Sequence, residues 1–334
     1  MALQRAASVL ATALVLTSIL TGKAGCSPWA CGVCYGVHGD RLPKPAEVVQ
    51  LYKSKGITAI RLYEPDVQTL LALNGSNIGV LIDVADENVP RLASGAAQAD
   101  LWVQLNIKRY YPGVSFRYIA VGNELAGAAT RSILPAIKNL NAALAKAGIK
   151  GIKVSTAVKM DVLATSSPPS SAVFKDDYMK QIVALLGTTG APLLVNVYPY
   201  FAYIGDQKNI DLNFSLFQPS SRVIKDNGLS YTNLFDAMVD AVYAALRSAK
   251  VQVPVVISES GWPSAGGVGA SVANARTYNQ NLINHVGKGT PSKSQPLETY
   301  VFAMFNENRK TGAETEKHFG LFNPDKSPVY PIKF

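Results

Sequence analysis

Eight short apolar runs alternate with amphipathic helical stretches along this 334-residue chain, and this alternation predicts an α/β fold. Strands that are joined through helices pair in parallel, and a count of eight favours a closed (β/α)8 barrel, or TIM barrel, over an open sheet. No Gly-x-Gly-x-x-Gly turn follows the first run, so the signature of a dinucleotide-binding open sheet is missing. The sequence has no internal repeat or interdomain linker, which predicts a single domain over residues 31–334.

The predicted strands are rich in β-branched and aromatic residues. They are Gly32–Val37, Ile57–Tyr63, Ile78–Val84, Phe116–Val121, Ile152–Val158, Leu193–Tyr198, Val255–Ser258 and Thr299–Phe305. The predicted helices repeat apolar residues at intervals of three and four. They are Pro45–Ser54, Asp66–Leu73, Ala97–Lys108, Ser132–Ala147, Asp177–Leu186, Asn233–Ser248 and Ala273–Val286. The polar segment Tyr200–Tyr231 is expected to be an irregular insertion after the sixth strand, at the rim where barrel active sites are built.

The N-terminus has the pattern of a secretory signal peptide. Met1–Arg5 is a short basic start, and the apolar stretch Ala6–Leu20 is too short to span a bilayer comfortably. We therefore assign residues 1–30 to a signal peptide that is cleaved between residues 25 and 31. The mature protein is expected to be secreted, monomeric and free of the membrane, with candidate glycosylation sites at Asn74 and Asn213.

Composition argues against several classes of partner. The formal net charge is +9, but the basic residues are scattered and form no patch of the kind that nucleic-acid binding needs. The cysteines (Cys26, Cys31 and Cys34) are few, their pairing stays open, and the three histidines are dispersed. This pattern does not indicate a metal site, and no cofactor motif is present. We therefore expect a protein that works without metal or cofactor.

Two apolar runs end in glutamate. The segments Phe116-Arg-Tyr-Ile-Ala-Val-Gly-Asn-Glu124 and Val255-Val-Ile-Ser-Glu259 place one carboxyl group at the tip of the fourth strand and one at the tip of the seventh. A lone glutamate there would indicate a solvated strand end, but two at one face indicate the paired carboxylates that cleave glycosidic bonds. Apolar surroundings raise the pKa of one carboxyl group, which gives an acid and a nucleophile from the same residue type. No nucleophile elbow, P-loop or kinase signature competes.

A sugar substrate would also account for the aromatic and amide side chains near the same strand ends. Tyr63, Tyr198 and Trp262 are expected to present flat faces to sugar rings at the rim. Asn123 directly precedes Glu124 and is expected to bind a sugar hydroxyl next to the reacting carbon. The sequence therefore predicts a carbohydrate-binding cleft around the two glutamates.

Seven motifs span the chain from Cys31 to Phe334. They are Gly32-Val-Cys-Tyr-Gly36, Arg61-Leu-Tyr63, Phe116-Arg-Tyr-Ile-Ala-Val-Gly-Asn-Glu124, Val195-Asn-Val-Tyr-Pro-Tyr200, Val256-Ile-Ser-Glu-Ser-Gly-Trp-Pro-Ser264, Phe302-Ala-Met-Phe-Asn-Glu-Asn308 and Phe319-Gly-Leu-Phe322. In these motifs the chain resembles the plant β-1,3-glucanases of glycoside hydrolase family 17. The resemblance implies a retaining endo-hydrolase of β-1,3-glucan with Glu259 as nucleophile and Glu124 as acid/base, whose carboxyl groups would lie about 5–5.5 Å apart. It also implies a polar cluster of Glu307, Lys310 and Glu316 beside the pair, with Lys310 favouring the ionised form of Glu259 if it lies close.

The resemblance leaves the finer function open. It implies a protein of the plant cell-wall space, or apoplast, that acts in pathogen defence or in callose turnover. A β-1,3-1,4-glucanase is the nearest alternative, because the same fold and acids serve both substrates. A non-catalytic glucan-binding protein is a second alternative, against which the intact Glu124 and Glu259 argue. The chain departs from the family pattern at Asp40 and Arg41, which stand where an asparagine pair is usual, so the family's sugar contacts are not carried onto them.

Overall fold

The computed structural model describes residues 31–334, so the signal-peptide assignment to residues 1–30 lies outside the described part of the chain. Eight parallel strands close into one barrel, which confirms the predicted single-domain (β/α)8 fold. In chain order, β1 to β8 are Cys31–Tyr35, Ala59–Leu62, Gly79–Val84, Ser115–Asn123, Lys153–Lys159, Leu193–Asn196, Val255–Ser260 and Thr299–Val301. Each strand pairs with its neighbours in the chain, and β1 closes the ring on β8 with Cys31 opposite Thr299. Each predicted strand overlaps an observed one.

Ten α-helices accompany the strands in the described residues. In chain order, α1 to α10 are Pro45–Ser54, Val67–Leu73, Val89–Ala93, Ala96–Val103, Ile133–Lys146, Asp177–Thr189, Pro199–Gly205, Leu212–Ser215, Leu234–Ser248 and Val272–His285. Asp66 and Asn233, the first residues of two predicted helices, are N-caps: their side chains accept the backbone N–H groups of Thr69 at 2.7 Å and Asp236 at 2.8 Å. The predicted helix Ala97–Lys108 ends in a π-helical turn, Gln104–Lys108.

The insertion Tyr200–Tyr231 is more regular than the sequence predicts. It contains most of α7, all of α8, and a hairpin of Ile224–Asp226 with Leu229–Tyr231. The hairpin forms because Asn227 and Gly228, with φ of 47° and 80°, adopt the left-handed conformation that a tight turn needs. A second hairpin, Leu163–Thr165 with Val173–Phe174, follows β5.

The amino-terminal mouth of the barrel is closed by a polar cluster. Arg117 Nη1 and Nη2 donate to the Glu298 carboxylate at 2.7 and 2.8 Å, and the hydroxyls of Tyr118 and Tyr300 donate to it at 2.8 and 3.0 Å. These residues lie at the starts of β4 and β8, so the cluster ties two strands together at the end of the barrel opposite the strand tips. Among the described helices, none has the length and apolar character needed to cross a membrane.

Candidate active site

A large cleft crosses the carboxyl-terminal face of the barrel. Its volume is about 1260 Å³, and its lining comes from the end of every barrel strand or the loop that follows it. Residues that the sequence placed in a sugar site lie together in this lining: Tyr63, Asn123, Glu124, Tyr198, Glu259, Glu307, Lys310 and Glu316. The fold therefore places these side chains around one cleft.

Both glutamates lie where the hydrogen-bonded pairing between neighbouring barrel strands is irregular. The pairing of β4 with β5 shifts register between Ala120 and Asn123, and the pairing of β7 with β6 shifts between Ile257 and Glu259. A shift of this kind adds a residue on one strand and turns the following side chains away from the regular alternation. At these two positions it turns carboxyl groups toward the cleft.

Glu259 lies on the cleft floor, 6% exposed, near the end of β7. Its Oε1 accepts hydrogen bonds from Arg61 Nη1 at 2.9 Å and from the Tyr63 hydroxyl at 2.7 Å, and its Oε2 accepts one from the Tyr198 hydroxyl at 2.6 Å. Burial raises the pKa of both tyrosines well above the ordinary value, so both remain protonated donors. Three donors, one of them a cation, therefore surround the two oxygens of this buried carboxyl group.

Glu124 follows β4 with a left-handed backbone. Its φ is 58°, and that of Gly122 is 75°; for a glutamate this conformation costs about 1–2 kcal/mol. The turn directs the side chain into the cleft, where Oε1 accepts a hydrogen bond from Asn196 Nδ2 at 2.8 Å. Burial raises the pKa of Glu124, the charge of Glu259 raises it further, and Asn196 and Lys159 oppose the change. Glu124 therefore keeps its proton to a higher pH than an ordinary glutamate.

The electrostatic setting of the site depends on residues to which the sequence argument gave no role. Arg61, fully buried on β2, forms the ion pair with Glu259 and is held in turn by Asp83 on β3, with Nη2 to Oδ2 at 2.6 Å. Asn196, at the end of β6, contacts Glu124. Each of these three is a polar residue inside an otherwise apolar strand, and Arg61 and Asn196 also belong to the motifs that carry the family resemblance. A buried charge in a barrel strand requires a partner, and here the partners of Arg61 come from other strands.

Asn123 is more enclosed than the sequence suggested. Its Oδ1 accepts hydrogen bonds from Arg61 Nη2 at 3.0 Å and Asn196 Nδ2 at 2.9 Å, while its backbone N–H donates to Asp86 at 2.8 Å. The amide oxygen is therefore committed to the protein, which leaves the Nδ2 group as the part of Asn123 suited to a sugar hydroxyl.

The predicted polar cluster forms at the opposite wall. Lys310 Nζ lies 3.7 Å from the Glu307 carboxylate and 3.5 Å from that of Glu316, and it sits 4.3 Å from the centre of the Phe302 ring. Gly36 makes room for Glu307, because a β-carbon there would clash with the carboxylate. Among the described residues the ion pair to Glu259 is made by Arg61, so the supporting cation lies on β2 and not at Lys310.

The expectation for Trp262 is wrong. Its side chain is fully buried, does not line the cleft, and donates from Nε1 to the carbonyl oxygen of Gly269 at 2.9 Å. The ring packs against Tyr200, Tyr203 and Tyr278 at centroid distances of 5.1, 6.1 and 5.4 Å. The chain after β7 folds back under α7 and α10, so the indole joins the core beneath the rim.

Metal ligation is not supported by the arrangement of side chains. Across residues 31–334, no group of three or more His, Cys, Asp or Glu side chains is placed to hold a metal ion. Cys34 lies beneath the site as a buried free thiol, with Sγ 3.4 Å from the Ser258 carbonyl oxygen, and burial raises its pKa.

Two carboxyl groups at strand tips of a (β/α)8 barrel, in an open cleft, are the arrangement with which glycoside hydrolases work. The chain matches the family model "Glycosyl hydrolases family 17" over residues 31–334 and belongs to that family.

The comparisons agree with this assignment along the whole chain. The protein is 56% identical over 336 residues to "Glucan endo-1,3-beta-glucosidase GII" of Hordeum vulgare, with 100% of each chain covered. It is 55% identical to "Glucan endo-1,3-beta-glucosidase, acidic isoform" of Zea mays, with 98% of each covered. Its fold superposes on a β-1,3-glucanase and allergen of Cryptomeria japonica pollen with a TM-score of 0.89 at 48% identity, covering 91% of this chain and 99% of that one.

Proposed function

We propose that this glycoside hydrolase cleaves internal β-1,3-glucosidic bonds of β-1,3-glucans by a retaining double displacement. The observation that carries the proposal is the contrast between the two cleft carboxyl groups. Glu259 accepts three hydrogen bonds, one from a guanidinium, and is suited to be the anionic nucleophile. Glu124 has a raised pKa and is suited to donate a proton. The substrate follows from the printed names of the relatives in Hordeum vulgare and Zea mays.

In the first displacement Glu259 attacks the anomeric carbon. The bond from that carbon to the glycosidic oxygen breaks, its electron pair stays on the oxygen, and Glu124 gives its proton to that oxygen. Oε2 of Glu259 is suited to be the attacking atom, because it accepts one hydrogen bond while Oε1 accepts two. The product is a glycosyl ester on Glu259 and a free sugar alcohol.

In the second displacement Glu124, now a carboxylate, takes a proton from water. The water oxygen bonds to the anomeric carbon as the ester bond breaks, which restores the Glu259 carboxylate and returns the proton to Glu124. Two inversions at one carbon retain its configuration. Asn196 remains bonded to Glu124 and holds the side chain in reach of both steps.

The shape of the cleft supports attack within a polymer chain. Its volume of about 1260 Å³ exceeds the roughly 300–1,000 Å³ that is typical of small-molecule pockets. The lining extends across the ends of all eight strands, and it includes the half-buried ring of Tyr63 and the exposed ring of Phe201. A groove of this extent is suited to several consecutive sugar units on both sides of the reacting bond.

The test is hydrolysis of a linear β-1,3-glucan and a mixed-linkage β-1,3-1,4-glucan by the wild type and by Glu259→Gln and Glu124→Gln. We expect the wild type to prefer the β-1,3-glucan and both variants to lose at least about 10³-fold in kcat, since each removes a group that acts only in the reaction. Substantial residual activity in Glu259→Gln would contradict the nucleophile assignment. Faster cleavage of the mixed-linkage polymer would contradict the proposed substrate, and binding without turnover would indicate a glucan-binding protein.

Secretion to the cell-wall space, with a role in defence or callose turnover, is part of the proposal. It rests on the basic and apolar pattern of residues 1–30. The N-terminus of the protein recovered from extracellular fluid of expressing plant cells is expected between residues 26 and 31. An uncleaved N-terminus on intracellular protein would contradict it.

A further inference from the structure

The strongest unassigned feature of the cleft floor is the buried salt bridge between Arg61 and Asp83. Arg61 and Asp83 are 0% and 1% exposed. A guanidinium has five N–H groups, and those of Arg61 are directed to Asp83, Glu259, Asn123, Asn196 and the Ser258 carbonyl oxygen. Because every N–H group of the Arg61 guanidinium has an acceptor, the side chain is held in one orientation. The most strongly bound partner sets that orientation.

That partner is Asp83. Both of its oxygens contact Arg61, Oδ2 at 2.6 Å from Nη2 and Oδ1 at 3.3 Å from Nε. This two-point contact fixes the plane of the guanidinium and not only its distance. It leaves Nη1 on the far side, where Nη1 lies 2.9 Å from Glu259 Oε1 and 3.2 Å from Asn196 Oδ1.

The contacts continue from Arg61 to the second glutamate. Arg61 Nη1 and the Ser258 hydroxyl both donate to Asn196 Oδ1, the latter at 2.7 Å. Two donors at one end of the amide require its oxygen to face them, so Nδ2 faces the other way. Nδ2 there donates to Glu124 Oε1 at 2.8 Å. One guanidinium therefore contacts Glu259 directly and orients Glu124 through Asn196.

We propose that Asp83 is a positioning residue of this active site, which aligns both glutamates by holding the Arg61 guanidinium in one plane. It does not touch the reacting atoms. Asp83 also affects the charge at the site. Because Arg61 is paired with both Asp83 and Glu259, its positive charge neutralises Glu259 only in part, and Glu259 keeps its reactivity as a nucleophile. The inference rests on the proposed roles of Glu124 and Glu259.

The surroundings of Asp83 support this division of charge. The charged groups that face it are Arg61, Glu259 and Asp86. Burial raises the pKa of Asp83 to about 6, although Arg61 opposes the change. The carboxyl group is therefore poised to change charge near neutral pH, and its state alters how fully Arg61 neutralises Glu259.

The experiment compares Asp83→Asn, which removes the charge, with Asp83→Glu, which keeps the charge but moves it by one methylene. Both are expected to lower kcat on β-1,3-glucan about 100-fold, the typical result of misplacing reacting groups by about 1 Å, with a far smaller change in KM. In Asp83→Asn the step that Asp83 contributes to the pH–rate profile near pH 6 is also expected to disappear, because the group that titrates there has been removed. In Asp83→Glu a step of this kind is expected to remain.

Asp236→Asn is the matched control for a purely structural effect. Asp236 is buried on α9 and bonds to His285 at 2.7 Å, outside the cleft lining. Its replacement is expected to lower the unfolding midpoint without changing kcat or the pH profile of the folded enzyme. Thermal unfolding of each variant gives the folded fraction.

A wild-type kcat in either Asp83 variant, or a loss that only follows the folded fraction, would overturn the inference. If Asp83→Asn does not fold, Asp83→Glu alone decides, since it leaves no buried charge unpaired. Inactivity of Glu124→Gln and Glu259→Gln together with full activity of the Asp83 variants would leave the proposed function intact and reject only the positioning role.

Discussion

The two glutamates of the cleft are the same residue type with different surroundings. Glu259 accepts three hydrogen bonds, including one from Arg61, whereas Glu124 accepts one from the amide of Asn196. Burial and the neighbouring charge of Glu259 raise the pKa of Glu124. In the proposed mechanism, the difference between an acid and a nucleophile is therefore set by neighbours on other strands and not by the residue itself.

The influence of Lys159 on Glu124 gives a prediction for pH dependence. Lys159 lowers the pKa of Glu124 by favouring its charged form, so Lys159→Met should raise it. Because the proposed role of Glu124 begins with a protonated acid, the basic limb of the pH–rate profile is expected to move to higher pH. The measurement is kcat against pH on β-1,3-glucan.

Lys180→Met is the control for this change, because Lys180 pairs with Asp177 on the outer helix α6. It is expected to leave the profile unchanged. A basic limb that stays in place or moves to lower pH in Lys159→Met would contradict the electrostatic account of Glu124.

Among individual residues, the sequence predicted the two glutamates but missed the neighbouring groups that set their hydrogen bonding and charge. Glu124 and Glu259 were found because each ends an apolar strand, a local signal. Arg61, Asp83 and Asn196 were missed because their partners lie on other strands, far away in the chain. Pairing across a barrel depends on which strand tips meet, and a single sequence does not show this.

The elements that form the rim bury some aromatic rings and expose others. In α7, Tyr200 is 1% exposed whereas the next residue, Phe201, is 41% exposed and lines the cleft. Trp262, after β7, packs under this helix at 5.1 Å from Tyr200. The helix therefore has one face for the core and one for the groove, and the indole belongs to the core.

Alanine at Trp262 and at Phe201 should separate these two roles. Trp262→Ala is expected to lower the free energy of unfolding by about 3–5 kcal/mol, as for other buried aromatic residues. Phe201→Ala is expected to cost about 1 kcal/mol or less but to raise KM for β-1,3-glucan severalfold. Chemical denaturation and steady-state kinetics measure both. If Trp262→Ala were as stable as the wild type and had a raised KM, Trp262 would belong to the groove and not to the core.

The elements themselves were largely predictable. Apolar periodicity located the eight strands, and cap residues such as Asp66 and Asn233 marked helix starts. The hairpin around Asn227 and Gly228 was overlooked although an Asn-Gly pair is a strong turn signal. Trp262 was misplaced because proximity to a strand end does not determine which side of the following loop a ring occupies.

The molecule as a whole divides stability and chemistry between its two ends. The cleft occupies the carboxyl-terminal face, and the cluster of Arg117, Tyr118, Glu298 and Tyr300 closes the amino-terminal mouth. Burial raises the pKa of Glu298, while Arg117 and the two hydroxyls oppose the change. This division is general among barrels of this class.

Glu298→Ala tests the division. It leaves Arg117 and two tyrosine hydroxyls without their shared partner, so the free energy of unfolding is expected to fall by about 2–3 kcal/mol. The kcat and KM of the folded enzyme should not change, since the cluster is at the far end of the barrel. Asp177→Ala, at an exposed pair on α6, should leave the unfolding midpoint nearly unaltered. A lower kcat in Glu298→Ala would mean that the two ends are coupled.

The sequence by itself determined the barrel and the class of chemistry, and it placed the two glutamates at strand ends, because strand count, helical periodicity and strand-end acids are local patterns. Only the tertiary structure decided that Arg61, held by Asp83, supports Glu259, that Asn196 links this group to Glu124, and that Trp262 lies in the core. The reason is physical: burial and charge act through space, between strands that are distant in the chain and adjacent in the barrel.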